Sequence, residues 1–283
     1  MVCTERAYAK LNLTLDILGK RPDGYHDLRM VMQSVDLFDE VSVETRETGG
    51  VTVRADLDYL PRNGDNLAVK AALAFFREAG VQPPGLHIQL KKRIPVCAGM
   101  AGGSSDGAAV LRALGRLYPM PREALERIGA AVGSDVPYCV RGGTALAEGR
   151  GEVLTDLPAL PMCHIVLCKP DFPISTPELF RAVKPTRCHP DTAGMLAALK
   201  AGDLDGVAHR LYNVFEDFLP RRCQEVREIK SALLDLGALG AAMSGSGPTV
   251  FGIFREAGPA QEAAACLARR YRRTYTARPV GPA

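Results

Sequence analysis

Pro95-Val96-Cys97-Ala98-Gly99-Met100-Ala101-Gly102-Gly103-Ser104-Ser105-Asp106-Gly107 lies between two patterned segments of a 283-residue chain. Before it, Leu86, Ile88 and Leu90 alternate as in a strand; after it, Val110, Leu111, Leu114 and Leu117 recur at helical spacing. The glycines let the backbone turn tightly enough for several N–H groups to converge on one anion, and the helix N-terminus adds partial positive charge there. Ser104 and Ser105 offer hydroxyls to phosphate oxygens, and Ser105 is the candidate ligand for a bound Mg²⁺. The segment contains neither Gly-Lys-Ser/Thr nor G-x-G-x-x-G, so it is a phosphate loop of another type. The alternative is a strand-to-helix turn with no ligand.

Towards the N-terminus, Ala7, Ala9, Leu11, Leu13, Leu15 and Ile17 alternate with Tyr8, Lys10, Asn12, Thr14 and Asp16. This predicts a half-buried strand with Lys10 and Asn12 side by side on its polar face. Arg21-Pro22-Asp23-Gly24 is turn chemistry directly after it. Val41 to Thr45 and Val51 to Ala55 predict strands around a Gly49-Gly50 turn, and Asn66 to Ala79 a helix capped by Asp65 and stopped by Gly80. In the second half, Thr176-Pro177 reads as an N-cap and first helical position. Helices are predicted over Thr192 to Lys200, Asp203 to Phe218, Cys223 to Leu236 and Ala260 to Tyr271, and strands over Ala241 to Met243 and Thr249 to Phe254. Strands and helices mix without regular βαβ alternation, which predicts an α+β fold. Pro158 to Pro161 is the best linker.

Composition narrows the function classes. Hydrophobic residues make up 47% and charged residues 24%, as in a globular protein with a real core. With 35 basic and 32 acidic residues the net charge of +3 argues against nucleic acid or an anionic membrane as partner, and the Arg269, Arg270, Arg272 and Arg273 run reads as a solvated helix end. No stretch reaches the ~18–20 apolar residues of a membrane span, and the N-terminus alternates like a strand rather than a signal peptide. Eight cysteines without a C-x-x-C pair suit reduced thiols and a cytoplasmic location. Cys163 beside His164 lacks a second ligand pair at zinc spacing.

Two further segments carry chemistry. Met243-Ser244-Gly245-Ser246-Gly247-Pro248-Thr249 can approach a phosphate or another backbone, or serve as a plain turn; Gly133-Ser134-Asp135-Val136-Pro137 sets an acid at a corner where a helix N-cap is the ordinary role. Together with the Lys10 strand, the two glycine-rich loops match in order the three motifs of the GHMP kinases, which the chain resembles from Ala7 to about Phe254. Ala9-Lys10-Leu11-Asn12-Leu13 and Lys20-Arg21-Pro22-Asp23-Gly24-Tyr25-His26-Asp27-Leu28 resemble its branch acting on a cytidine diphosphate-linked methylerythritol, and other branches lack the Arg21 to His26 segment.

The resemblance implies a two-domain GHMP kinase fold with the active site in the interdomain cleft: an ATP-binding domain over 1–157 and a substrate domain over 158–283. It implies phosphoryl transfer from ATP, with Mg²⁺, to the 2-hydroxyl of that small-molecule substrate. Asp135 matches the base that takes the hydroxyl proton, and Lys10 the cation beside the reacting oxygen, where an ammonium stabilises a developing alkoxide. The loop from Pro95 to Ser105 matches the phosphate cradle, and Asn66 and Leu67 match positions near adenine, though they also make sense as a helix start. On the substrate side stand Asn12, Gly245 and Ser246, with cytosine between the rings of Tyr25 and Phe180 and its edge read around His26. Phe180 fits a core role equally well, and Thr176, matched to the diphosphate, is equally explained as a cap. Cys97, Ala98 and Ala101 stand where relatives commonly carry glycine, and a methyl at Ala101 calls for negative φ. The alternatives are a homoserine- or mevalonate-type kinase, or an inactive GHMP-fold binding protein; the latter would lack the acid or the lysine.

Overall fold

The computed structural model describes residues 1–83, 85–183 and 188–283. Its larger sheet contains β1 (Val2–Lys20), β2 (His26–Arg46), β3 (Val51–Ala55), β4 (Gly85–Lys91), β5 (Thr144–Gly149), β6 (Val153–Asp156) and β8 (Tyr212–Asn213). The second sheet has the order β11-β7-β10-β9, with β7 (His164–Lys169), β9 (Gly240–Met243), β10 (Val250–Phe254) and β11 (Arg273–Ala277). β1 lies along one edge of the long β2; the other edge is shared, Leu28–Gln33 pairing with β5 and Glu40–Arg46 with β4. β3 pairs with β4 in parallel, so the predicted strands around Gly49-Gly50 do not form a hairpin, because β4 lies between them.

The helices are α1 (Leu67–Ala79), α2 (Gly102–Leu117), α3 (Arg122–Val132), α4 (Val136–Arg141), α5 (Thr176–Ala182), α6 (Thr192–Ala201), α7 (Leu204–Ala208), α8 (Gln224–Asp235) and α9 (Ala257–Ala268). α2 packs on α1, β1 and β2, while α8 and α9 pack on the second sheet. The cap of α1 is Asn66, whose side chain accepts from the Ala68 amide at 3.0 Å, rather than Asp65; Gly80 ends the helix at φ 67 as expected. Ser175 takes the N-cap position of α5, which leaves the Thr176 hydroxyl to bond Ser246 Oγ at 2.7 Å. The predicted helix over Asp203 to Phe218 is instead α7, the short β8 and a 3₁₀ turn over Val214–Phe218.

β1 is buried on both faces from Ala9 to Ile17, and its apolar residues do not share one face. Ala9, Leu11 and Leu13 join one core cluster, whereas Ala7, Leu15 and Ile17 join the other. Register shifts against β2 between Tyr8 and Ala9 and between Asn12 and Thr14 account for the exchange, since a bulge re-aims the side chains that follow it. Both clusters draw residues from both halves of the chain.

Candidate active site

The two glycine-rich loops meet over β1. Ser244 Oγ donates to Gly99 O at 3.0 Å, and a Cβ built on Gly99 would stand 2.1 Å from Ser244 O, so the backbones are in direct contact. Lys10 is tied into the same junction, its amide donating to Met100 O at 3.2 Å. Asn213 secures the second loop from below by donating to Met243 O at 2.7 Å and Gly245 O at 2.8 Å, and Glu216 accepts from the Met243 amide at 2.8 Å. Sequence reading missed both residues, because it placed them in a helix.

This junction forms one wall of a cavity of about 1060 Å³. Lys10, Asp135, Asn66, Leu67, the loop residues Pro95 to Gly99 and Ala101 to Ser104, and Tyr25, His26, Thr176, Phe180, Gly245 and Ser246 all border it. Three expected site residues do not. Met100 is fully buried in the core and contributes only its carbonyl. Asn12, also fully buried, accepts from Lys10 Nζ at 2.5 Å and donates to Met30 Sδ at 3.3 Å, so it orients the lysine from behind rather than facing a substrate. Ser105, the expected metal ligand, turns into the fold and donates to Tyr8 O at 2.6 Å, whereas Ser104 borders the cleft.

The loop backbone also departs from expectation. Ala101 has φ 57 and Cys97 has φ 52, left-handed conformations that a non-glycine residue adopts at a cost of roughly 1–2 kcal/mol. Ala101 precedes the first residue of α2, so this bend turns the chain into the helix whose N-terminal amides open on the cleft. Across the cavity, Asp135 heads α4 but makes no side-chain capping bond. The helix is pinned without it: the buried Tyr138 hydroxyl donates to Gly143 O at 2.7 Å, and Arg112 donates to Cys139 O at 2.6 Å. Burial pushes the Cys139 thiol up to about 12, which keeps that group neutral behind the loop.

At the far end the Arg21 to Tyr25 turn is closed by its own bonds, with Tyr25 N donating to Asp23 Oδ1 at 3.0 Å and Arg21 to Asp27 at 2.6 Å. Tyr25 is 54% exposed, with the Arg150 guanidinium 5.0 Å above its ring. Phe180 is half-buried: its ring stacks on His26 at 5.0 Å and 24° and meets Phe215 edge-on at 5.0 Å. The Phe180 ring thus packs on Phe215 and borders the cavity beside His26. No ion pair joins Lys10 to Asp135 within 4 Å among the described residues, and the lysine instead holds Asn12.

Among the described residues no group of three His, Cys, Asp or Glu could hold a metal. Mg²⁺ needs few protein ligands when phosphates and water supply the rest. The Ser104 hydroxyl on the cleft wall is a ligand suited to an ion that arrives with a nucleotide. No helix is long and apolar enough to cross a membrane among the described residues.

Comparison with known proteins agrees with this geometry. The model of the GHMP kinase N-terminal domain matches residues 66–143, and that of the GHMP kinase C-terminal domain residues 195–273. The chain is 45% identical to the 4-diphosphocytidyl-2-C-methyl-D-erythritol kinase of Pelotomaculum thermopropionicum, over 97% of this chain and 95% of that one. It is 44% identical to the enzyme of the same name from Lachnoclostridium phytofermentans, over 88% of this chain and 87% of that one. A solved structure of 4-(cytidine 5'-diphospho)-2C-methyl-D-erythritol kinase superposes with a TM-score of 0.83 at 34% identity, covering 99% of this chain and all of the other (100%). The chain belongs to the GHMP kinases, and within them to the family of 4-diphosphocytidyl-2-C-methyl-D-erythritol kinases.

Proposed function

We propose that the cleft transfers the γ-phosphoryl group of ATP to the 2-hydroxyl of 4-(cytidine 5'-diphospho)-2-C-methyl-D-erythritol, in the non-mevalonate route to isoprenoid precursors. The observation that carries this is the convergence of Lys10, Asp135, both glycine-rich loops and the Tyr25-His26 turn on one cavity. Residues 1–157 serve as the ATP-binding domain and 158–283 as the substrate domain. A homoserine- or mevalonate-type acceptor is disfavoured, since the relatives at 44–45% identity carry the cytidylyl-methylerythritol name.

Each group has a physical task. Loop amides and the α2 N-terminus bind the phosphates, which carry the charge that moves in the reaction. Asp135, free of capping duty, takes the proton of the attacking hydroxyl. Lys10, steadied by Asn12, faces the oxygen on which negative charge develops. Ser104 would hold the Mg²⁺ that arrives with the nucleotide, and the ion would supply charge neutralisation on the phosphates. Tyr25 and the His26–Phe180 pair offer aromatic surface for cytosine. ADP release should be seen with Mg-ATP and the cytidylyl-methylerythritol compound. Release with homoserine or mevalonate, and none with the cytidylyl compound, would overturn the substrate assignment.

A further inference from the structure

Beneath the phosphate loop lies an ion cluster with no part in the chemistry above. Asp39 in β2, Lys92 just beyond β4 and Asp106 in the second turn of α2 have side chains only 0%, 3% and 4% exposed. Lys92 Nζ donates to Asp106 Oδ2 at 2.5 Å and also to an Asp39 oxygen. The other Asp39 oxygen accepts the amides of Arg93 at 2.5 Å and Ile94 at 2.8 Å. One ammonium thus ties the chain entering the loop, through Asp39, to the helix that leaves it, through Asp106. The two ends also touch sterically: a Cβ on Gly102 would lie 3.2 Å from Ile94 Cγ2 and 3.7 Å from Lys92 Nζ.

Buried ion pairs are poor sources of net stability; here two carboxylates hold one ammonium from opposite ends of the loop, which restricts its movement. Stiffness at this position matters, because a cradle whose amides are aligned in advance loses less on binding than one that must be ordered by its ligand. We propose that Asp39, Lys92 and Asp106 are positioning residues that fix the distance between the two ends of the phosphate loop, holding its amides ready for a triphosphate. The inference rests on the assignment of this loop to ATP. Asp106 Oδ1 has no hydrogen-bond partner, and Asp106 borders the cleft, so direct contact with the nucleoside is the competing explanation.

Asp106→Ala separates the two, since it leaves the Lys92–Asp39 pair and both amide bonds of Asp39 in place. Calorimetry with ATP and with inorganic triphosphate should show both binding weakened by about tenfold or more, the cost of a misaligned hydrogen bond to a charged group. The KM for the cytidine substrate should stay close to wild type, and the melting temperature should not fall. Asp106→Asn, whose amide oxygen still accepts from Lys92, should restore most of the affinity. Wild-type binding of both ligands overturns the clamp; so does weakened ATP with unchanged triphosphate, which assigns Asp106 to the nucleoside. Should Asp106→Ala melt below the assay temperature, Lys92→Arg carries the same comparison with the charge kept and the bridge lengthened. Turnover of the cytidine compound by the wild type is scored separately, so failure of the substrate assignment and failure of the clamp are told apart.

Discussion

Gly99→Ala should force the two glycine-rich loops apart. The new Cβ would stand 2.1 Å from Ser244 O and 2.8 Å from Gly247 N. Both neighbours are backbone, so no side chain can swing away, and the loops must part by roughly 1 Å to restore van der Waals contact. At φ 73 the alanine also carries the left-handed cost of roughly 1–2 kcal/mol. The Ser244 Oγ to Gly99 O bond, 3.0 Å in the native fold, is stretched or lost, at about 1 kcal/mol. The sum is on the order of 3 kcal/mol, enough to lower the melting temperature by several degrees. Because Lys10 N is bonded to Met100 O, the shift reaches the lysine, and a misplacement of about 1 Å in a reacting group can cost about 10²-fold in rate. Thermal melting and an ADP-release assay read the two effects. Gly103→Ala is the control: its Cβ would meet only Leu67 Cδ1, at an ordinary 3.4 Å, so melting should hold while the KM for ATP rises. A Gly99→Ala protein that melts and turns over like the wild type refutes the interlocked junction.

Asp135→Asn should lower kcat by about 10²–10⁴-fold, the range for a positioned base, with unchanged melting because Asp135 makes no capping bond; near-native turnover would reduce it to a helix-start residue. Phe180→Ala should raise the Kd of the cytidine substrate roughly 5- to 150-fold if stacking contributes about 1–3 kcal/mol, with Phe180→Tyr close to wild type and ATP binding unmoved. An early-melting alanine variant that binds the substrate normally would assign the ring to the core alone. Burial pushes the Asp106 carboxyl up to about 7, with Lys92 opposing the rise and Asp39 adding to it. The unfolded chain loses that proton near about 3.9, so between these values the native state binds more protons and stability falls as pH rises, levelling above the folded value. Wild-type melting temperature should therefore drop relative to Asp106→Asn between about pH 5 and about pH 8; parallel curves would count against the raised carboxyl.

What could be read from sequence was what local chemistry dictates. The strand-to-helix position of the Pro95 to Gly107 loop and the Arg21 to Tyr25 turn depend on residues close together in the chain, and both have the expected form. What escaped depends on distant partners. Asn213 sits in a helix-like pattern, but pairing of Tyr212 and Asn213 with Thr14 and Leu15 turns the segment into a strand beside the second loop. Lys92 and Asp39 carry no local signal in the sequence; they lie 53 residues apart and meet only because β2 pairs with β4. The Ala101 methyl argued for negative φ, yet the tie from Ser105 N to Ala101 O and the turn into α2 outweigh the local penalty. The bulges in β1 are invisible to a simple two-residue period, because that period survives on either side of each one.

The division of β1 between two core clusters has a consequence for how the molecule opens. A lysine on a loop could be exposed by a small local fluctuation; Lys10 cannot, since Ala9 and Leu11 on either side belong to one cluster while Ala7 and Leu15 anchor the same strand in the other. Releasing it means dissolving cores built from both halves of the chain, so the opening free energy at this position approaches that of the whole protein. The Lys10 amide should accordingly be among the slowest to exchange with deuterium, and its exchange should track denaturant as global unfolding does. A chain nicked between Pro158 and Pro161 should likewise hold together until it melts as one body, because the cut severs the backbone without dividing either core.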